Sequence, residues 1–236
     1  MIPVLEIFGP TVQGEGAVIG RKTMFVRTAG CDYRCSWCDS AFTWDGSAKE
    51  DIRKMTPGEI YEELCRIGGD TFDHVTISGG NPALLPQIAG LLDLFKEKGI
   101  TSALETQGTK YQPWFHNIDE LTISPKPPSS GMKTDFEKLA FILNEVSGQP
   151  ASLKVVVFNE EDLAYAKTVH QRFPEVPFYL QVGNDRLDEV DDSRLLVHLA
   201  KRYEWLINAV MPDPDFKRVR VLPQLHTFVW GNKKGV

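Results

Sequence analysis

Short β-prone runs alternate along most of the chain with longer stretches whose apolar residues recur three and four positions apart. The runs at 23–27, 74–78, 101–105, 120–124, 153–158, 178–182 and 218–222 predict strands. The clearest is 153–158, with three consecutive valines. The stretches 83–98, 136–146, 162–172 and 194–206 predict helices. In the first of these Ile88, Leu91, Leu92 and Phe95 form the apolar face, and Gly99 ends it. A further helix opens at Thr56-Pro57, with Thr56 as N-cap and Glu59 where a capping box requires an acid. Its stripe is Ile60, Leu64 and Ile67, and Gly68-Gly69 stops it.

Strands separated by ten- to fifteen-residue helices imply parallel β/α units, with loop chemistry at the C-terminal ends of the strands. The Pro/Ser/Gly cluster at 125–131 reads as a loop, because β/α units continue on both sides. We therefore expect an α/β fold in a single domain over residues 1–236. The apolar share of 42% and charged share of 25% are those of a globular protein. A net charge of −6 argues against nucleic acid as the main partner. No apolar run approaches the roughly 20 residues of a membrane span. Residues 1–10 lack the basic and apolar regions of a secretory leader. Four cysteines do not suggest a disulfide framework, and a reducing cytoplasm is the expected location.

Three of those cysteines, Cys31, Cys35 and Cys38, are spaced Cys-x3-Cys-x2-Cys just after the first predicted strand. Cys65 lies far outside the group and, beside Leu64 on a helix, reads as a buried inert thiol. Structural zinc takes four protein ligands, and a four-iron cluster normally takes four thiolates. Three thiolates suggest a cluster with one iron open to another ligand. Zinc completed by histidine or water fits the spacing as well. The five histidines are scattered, and none is assigned to a metal.

Ser78-Gly79-Gly80-Asn81-Pro82 follows a strand and precedes a helix. Its glycines allow close backbone approach to a ligand, while Asn81 and Pro82 suit a helix start. With the cysteines it resembles the radical S-adenosylmethionine (SAM) superfamily, which often carries Gly-Gly-Glu here; Asn81 departs from that Glu. The chain also carries Gln13-Gly14-Glu15-Gly16 near its start and Cys38-Asp39-Ser40 after the cysteines. Glu105-Thr106-Gln107-Gly108, Ser124-Pro125-Lys126, Gln181-Val182-Gly183-Asn184 and Gln224-Leu225-His226 follow at strand ends. Together these resemble the 7-carboxy-7-deazaguanine synthases, radical SAM enzymes of queuosine and deazapurine biosynthesis.

The resemblance implies a partial (β/α) barrel with parallel strands and fewer helices than strands. The 56–67 helix is then a candidate loop insertion. It implies a carbon–nitrogen lyase that converts 6-carboxy-5,6,7,8-tetrahydropterin to 7-carboxy-7-deazaguanine with loss of ammonia. A 5′-deoxyadenosyl radical from SAM takes hydrogen at C6, the ring contracts, and SAM is regenerated, with no dominant side-chain general base. Cys31, Cys35 and Cys38 would hold a [4Fe–4S] cluster. SAM would meet Trp37, Cys38, Asp39, Gly80, Ser124, Pro125, Lys126, Gln181 and Asn184. The pterin would meet Val12, Gln13, Gly14, Glu15, Arg27 and Ser78, with Arg27 on its carboxylate. The tail 230–236 would fold back so that Val236 offers its carboxylate to the pterin's amino edge. Ser40 would bind Mg²⁺. A reductant such as flavodoxin or ferredoxin and a homodimer are the implied partners.

Bland readings stand beside these. Arg27 reads equally as a surface ion-pair residue, Ser40 as a turn residue, and Glu15 as a partner of Arg27 or a solvated charge. A glycyl-radical activase shares the cysteine spacing, and a zinc or electron-transfer protein would bind metal without cleaving SAM.

Overall fold

The computed structural model describes residues 1–236. Nine strands form one open sheet in the order β3-β1-β2-β4-β5-β6-β7-β8-β9. The strands are β1 (Ile2–Val12), β2 (Lys22–Thr28), β3 (Arg53–Met55), β4 (His74–Gly79), β5 (Thr101–Thr106), β6 (Glu120–Ile123), β7 (Ala151–Val157), β8 (Phe178–Val182) and β9 (Val219–Leu222). From β2 through β4 to β9 every neighbour is parallel. The helices are α1 (Pro57–Gly68), α2 (Ile88–Glu97), α3 (Phe136–Glu145), α4 (Glu160–Arg172), α5 (Asp192–Val210) and α6 (Leu225–Trp230). The expected partial barrel with fewer helices than strands is what the chain forms.

Three features depart from the sequence expectation. β1 and the short β3 pair antiparallel, where only parallel strands were expected. The short loop between β1 and β2 cannot make a parallel crossover, so the two strands form a hairpin. β1 contains Pro3 and Gly9-Pro10, which mask it as a strand; register shifts between Val4 and Glu6 and between Phe8 and Thr11 absorb them. The helix expected over 83–98 is split, because Pro86 stops a first turn at Pro82–Leu84 and α2 begins only at Ile88. The third departure concerns α1, which is not a loop insertion. It is the crossover helix that brings the chain to β4, with Ile60 and Leu64 fully buried.

Strand alternation divides the sheet into two unlike faces. One face carries Val26, Ile77, Leu104, Leu121, Leu153, Val155 and Leu180, all buried in a single cluster of 36 residues with the helices. Burial of such a side chain contributes about 1.5–3 kcal/mol, so this face holds the fold together. The other face is polar. Arg27 pairs in register with Ser78, Glu105 with Thr122, Thr122 with Ser152, and Lys154 with Tyr179. A polar inner face needs partners, and the loop between β1 and β2 folds into it: Gly16 lies against Thr122 and the Lys154 stem.

The start of α1 forms the capping box read from the sequence. The Thr56 hydroxyl accepts from Glu59 N, and Thr56 N donates to the Glu59 carboxylate at 2.7 Å. Thr56→Ala should therefore lower the unfolding free energy by about 1 kcal/mol in urea titration. An unchanged midpoint would show that the box contributes nothing.

Candidate active site

The C-terminal ends of the parallel strands open into one cavity of about 320 Å³, of the size that takes small ligands. Cys31, Cys35 and Cys38 all line it, as do Trp37, Asp39 and Ser40 from the same loop. Val12, Gln13, Gly14, Glu15, Arg27 and Ser78 line it from β1, β2, β4 and the β1–β2 loop. Gly80, Lys126, Asn184 and Val236 complete the expected residues found there. Ser124, Pro125 and Gln181 do not reach the lining. Ser124 is buried and accepts from Lys126 Nζ at 3.0 Å. Gln181 is buried on the inner face beside Val156, and neither atom of its amide has a partner.

The cysteine loop docks on the turn after β6. Ser36 N donates to Ser130 O at 3.0 Å, Ser36 Oγ to Ser129 O at 2.7 Å, and Trp37 Nε1 to Ser129 Oγ at 2.9 Å. The Trp37 ring packs on Phe158 at 4.8 Å. Asp162, fully buried, accepts from both Ser129 N and Phe158 N and so fixes the two supports together. Gly80 must be glycine, since a Cβ there would overlap Gly30 O and Cys31 Cβ. Burial pushes the Cys35 thiol up to about 11 and the Cys38 thiol upward in the same sense. Three half-buried cysteines facing a common cavity, with no disulfide among them, fit a site that binds metal with loss of the thiol protons. Cys65 is half-buried on α1 and absent from the lining, so the donor set is three sulfurs.

Lys154 is the main residue that sequence reasoning missed. It stands at 1% exposure on the inner face of β7, between the carboxylates of Glu15 and Glu105, with Glu105 Oε1 at 2.7 Å. Its sequence signal is one lysine within a run of buried strand residues. Burial disfavours both charges, but their mutual attraction outweighs it: Lys154 is held protonated above its usual range, and Glu15 is held ionised well below the carboxylate range by Lys154 and His226. Gln224 Nε2 donates to the other Glu15 oxygen at 2.9 Å, and Leu225 N donates to Gly14 O. Glu15 is thus neither solvated nor a partner of Arg27. Glu6 pairs with Arg27 instead, through Nε at 2.5 Å.

The other side-chain hydrogen bond of Arg27 runs from Nη1 to Ser40 Oγ at 2.9 Å, and Ser40 Oγ donates to Asp39 Oδ1 at 2.9 Å. Glu15, Asp39 and His226 bring ligand atoms within 4.8 Å of one another. Glu15 is already committed to Lys154 and Gln224, however, and the buried ammonium opposes a cation there. Residues 231–236 also line the cavity, with Lys234 Nζ over the Phe42 ring at 4.3 Å; Trp230 does not line it. No helix is long and apolar enough to cross a membrane.

Removing Lys154 would leave two carboxylates facing each other in the interior. Lys154→Met should cost about 3–5 kcal/mol of stability at neutral pH. In the parent, the Glu15 contribution is complete above about pH 4.5 and is lost as pH falls further; that of Lys154 is complete below about pH 10.5 and is lost as pH rises. The variant should gain stability relative to the parent between pH 7 and 5, as the unpaired carboxylates take up protons. Parallel urea profiles for the two proteins across that range would contradict the ion-pair account.

Three comparisons bear on what this arrangement is. The model of the radical SAM superfamily matches residues 25–144, from β2 through the cysteines to α3. The 7-carboxy-7-deazaguanine synthase of Bacillus subtilis (strain 168) is 65% identical, with 100% of this chain and 98% of the relative covered. That of Bacillus cereus is 61% identical over 100% of this chain and 99% of the relative. In fold, the chain is similar to the crystal structure of QueE from Escherichia coli, with a TM-score of 0.66 and 24% identity over 95% of this chain and 94% of that one. Identity of this extent over whole chains places the three-cysteine cavity in a known setting: the chain belongs to the 7-carboxy-7-deazaguanine synthases of the radical SAM superfamily.

Proposed function

We propose that this chain converts 6-carboxy-5,6,7,8-tetrahydropterin to 7-carboxy-7-deazaguanine with loss of ammonia. The observation that carries the reading is that Cys31, Cys35 and Cys38 line one cavity with Arg27 and the Lys154 ion cluster. Cys31, Cys35 and Cys38 would hold the [4Fe–4S] cluster, which together with SAM would supply the radical chemistry for hydrogen removal at C6 and ring contraction, with SAM regenerated.

The side chains supply binding, orientation and charge. Gly80, with the backbone of Trp37, Cys38 and Asp39, lies at the cysteine loop, where SAM sits in this reading. Lys126 and Asn184 face the same space, and the unpartnered Gln181 amide lies just below it beside Val156. Ser124 Oγ accepts from Lys126 Nζ and so positions that side chain, with Pro125 between them in the chain. Arg27 keeps one guanidinium nitrogen free of Glu6 and Ser40 and meets the substrate carboxylate. The Ser78 hydroxyl, buried without a partner, faces the pterin with Val12, Gln13, Gly14 and the ionised Glu15. Ser40 Oγ, beside Asp39 Oδ1, offers a hard oxygen to Mg²⁺. The reading includes one domain, a cytoplasmic location, a homodimer and a one-electron donor such as flavodoxin or ferredoxin.

The test is anaerobic reconstitution with iron and sulfide, then incubation with SAM, reductant, Mg²⁺ and the carboxypterin. The expected result is 7-carboxy-7-deazaguanine with SAM not consumed in proportion. SAM cleavage without turnover of the pterin would point to an activase, and bound zinc without a cluster would end the reading. Val236 belongs to the substrate group because residues 231–236 line the cavity. A C-terminal tag should therefore raise the KM for the carboxypterin at least tenfold, and unchanged kinetics would remove the tail from the site.

A further inference from the structure

Two side-chain N–H groups outside the expected ligand and substrate sets are aimed at the cysteine sulfurs. Gln107 Nε2 donates to Cys31 Sγ at 3.5 Å, and Trp44 Nε1 donates to Cys38 Sγ at 3.5 Å. Cys35 receives no side-chain N–H. A hydrogen bond to a cluster thiolate disperses negative charge, and it does so more when the cluster carries an added electron. Each such donor therefore raises the reduction potential. We propose that Gln107 and Trp44 set the potential of the cluster through Cys31 and Cys38, with Asp32 as the positioning residue for Gln107.

Both donors are oriented by contacts that leave little freedom. The Gln107 amide has two hydrogens and two acceptors, because Nε2 also donates to Asp32 Oδ1 at 2.6 Å. Asp32 is fixed in turn by Asn81 Nδ2 at 2.9 Å. Asn81 is fully buried, and its Oδ1 accepts from Thr106 Oγ1 at 2.8 Å and from Ala83 N at 3.2 Å. A glutamate at 81 would set a second carboxylate against Asp32 and break this relay. Asn81 thus holds, from the buried side, the same Asp32 oxygen to which Gln107 donates. On the other side, the Arg34 guanidinium lies over the Trp44 ring at 4.7 Å and donates to Cys31 O and Tyr33 O. That contact ties the indole to the cysteine loop with its N–H toward Cys38.

The inference rests on the cluster reading of the three cysteines. It is tested on the reconstituted holoenzyme by titrating with dithionite and following the EPR signal of the one-electron-reduced cluster against potential. Gln107→Leu and Trp44→Phe remove one N–H each and keep the bulk of the side chain. At parent iron and sulfide content, each should shift the midpoint to a more negative potential, and the shifts should add in the double variant, since they act on different sulfurs. Midpoints equal to that of the parent would overturn the proposal. A second measurement needs no substitution: pulsed EPR of the reduced parent labelled with ¹⁵N in its tryptophan indoles should show a nitrogen coupling from Trp44, and its absence would overturn the Trp44 assignment. A parent that holds no four-iron cluster would instead overturn the proposed function.

Discussion

The ammonium of Lys154, buried between Glu15 and Glu105, is the constraint on which the site depends. The sheet does not close, so its inner face must be filled by something other than a ring of strands. The β1–β2 loop fills it, and that loop is held there by Glu15 on Lys154. Through Gln224 the same carboxylate draws in the segment before α6, and Leu225 N on Gly14 O adds a backbone bond. One cation thereby joins β5, β7, the loop near the N-terminus and the last helix. A buried ion pair costs desolvation of both charges, and an apolar pair often gives as much stability. Its value here is positional, because it fixes a carboxylate at the wall of the cavity and holds the β1–β2 loop in place.

Around that floor the two halves of the cavity are built differently. The cysteine side is a loop held by hydrogen bonds to the 128–131 turn and by the Trp37–Phe158 contact, with Asp162 bracing both supports. The opposite side is made of strand residues in fixed register, Arg27 beside Ser78, with Glu6 steering the guanidinium. In the proposed reading the loop carries the cluster ligands, and the strands carry the groups that orient the substrate. Preorganised polar groups of this kind need no rearrangement at the moment of reaction.

Much of this was legible in the sequence for physical reasons. The β/α alternation reads cleanly where an amphipathic helix separates short strands, as α3 and α4 do between β6 and β8. The Thr56 capping box is a local motif and was found as read. The cysteine spacing, Arg27 and Ser40 lie within fourteen residues, so their convergence could be anticipated. β1 was hidden by prolines that its bulges accommodate. Pro86 divides a helix that apolar spacing alone reads as continuous. Lys154 escaped notice because its partners are 139 and 49 residues away, and only the folded sheet brings them together. Gln107 and Gln224 lay in segments picked out at strand ends, yet nothing in their local pattern names the sulfur or the carboxylate that they meet.

The central claim is that three cysteines leave one iron free to bind SAM. The most direct measurement is the EPR spectrum of the reconstituted, one-electron-reduced protein with and without SAM. The account predicts a four-iron signal whose line shape changes on adding SAM, as its amino and carboxylate groups occupy that iron. A signal indifferent to SAM, or zinc in place of iron at Cys31, Cys35 and Cys38, would contradict it.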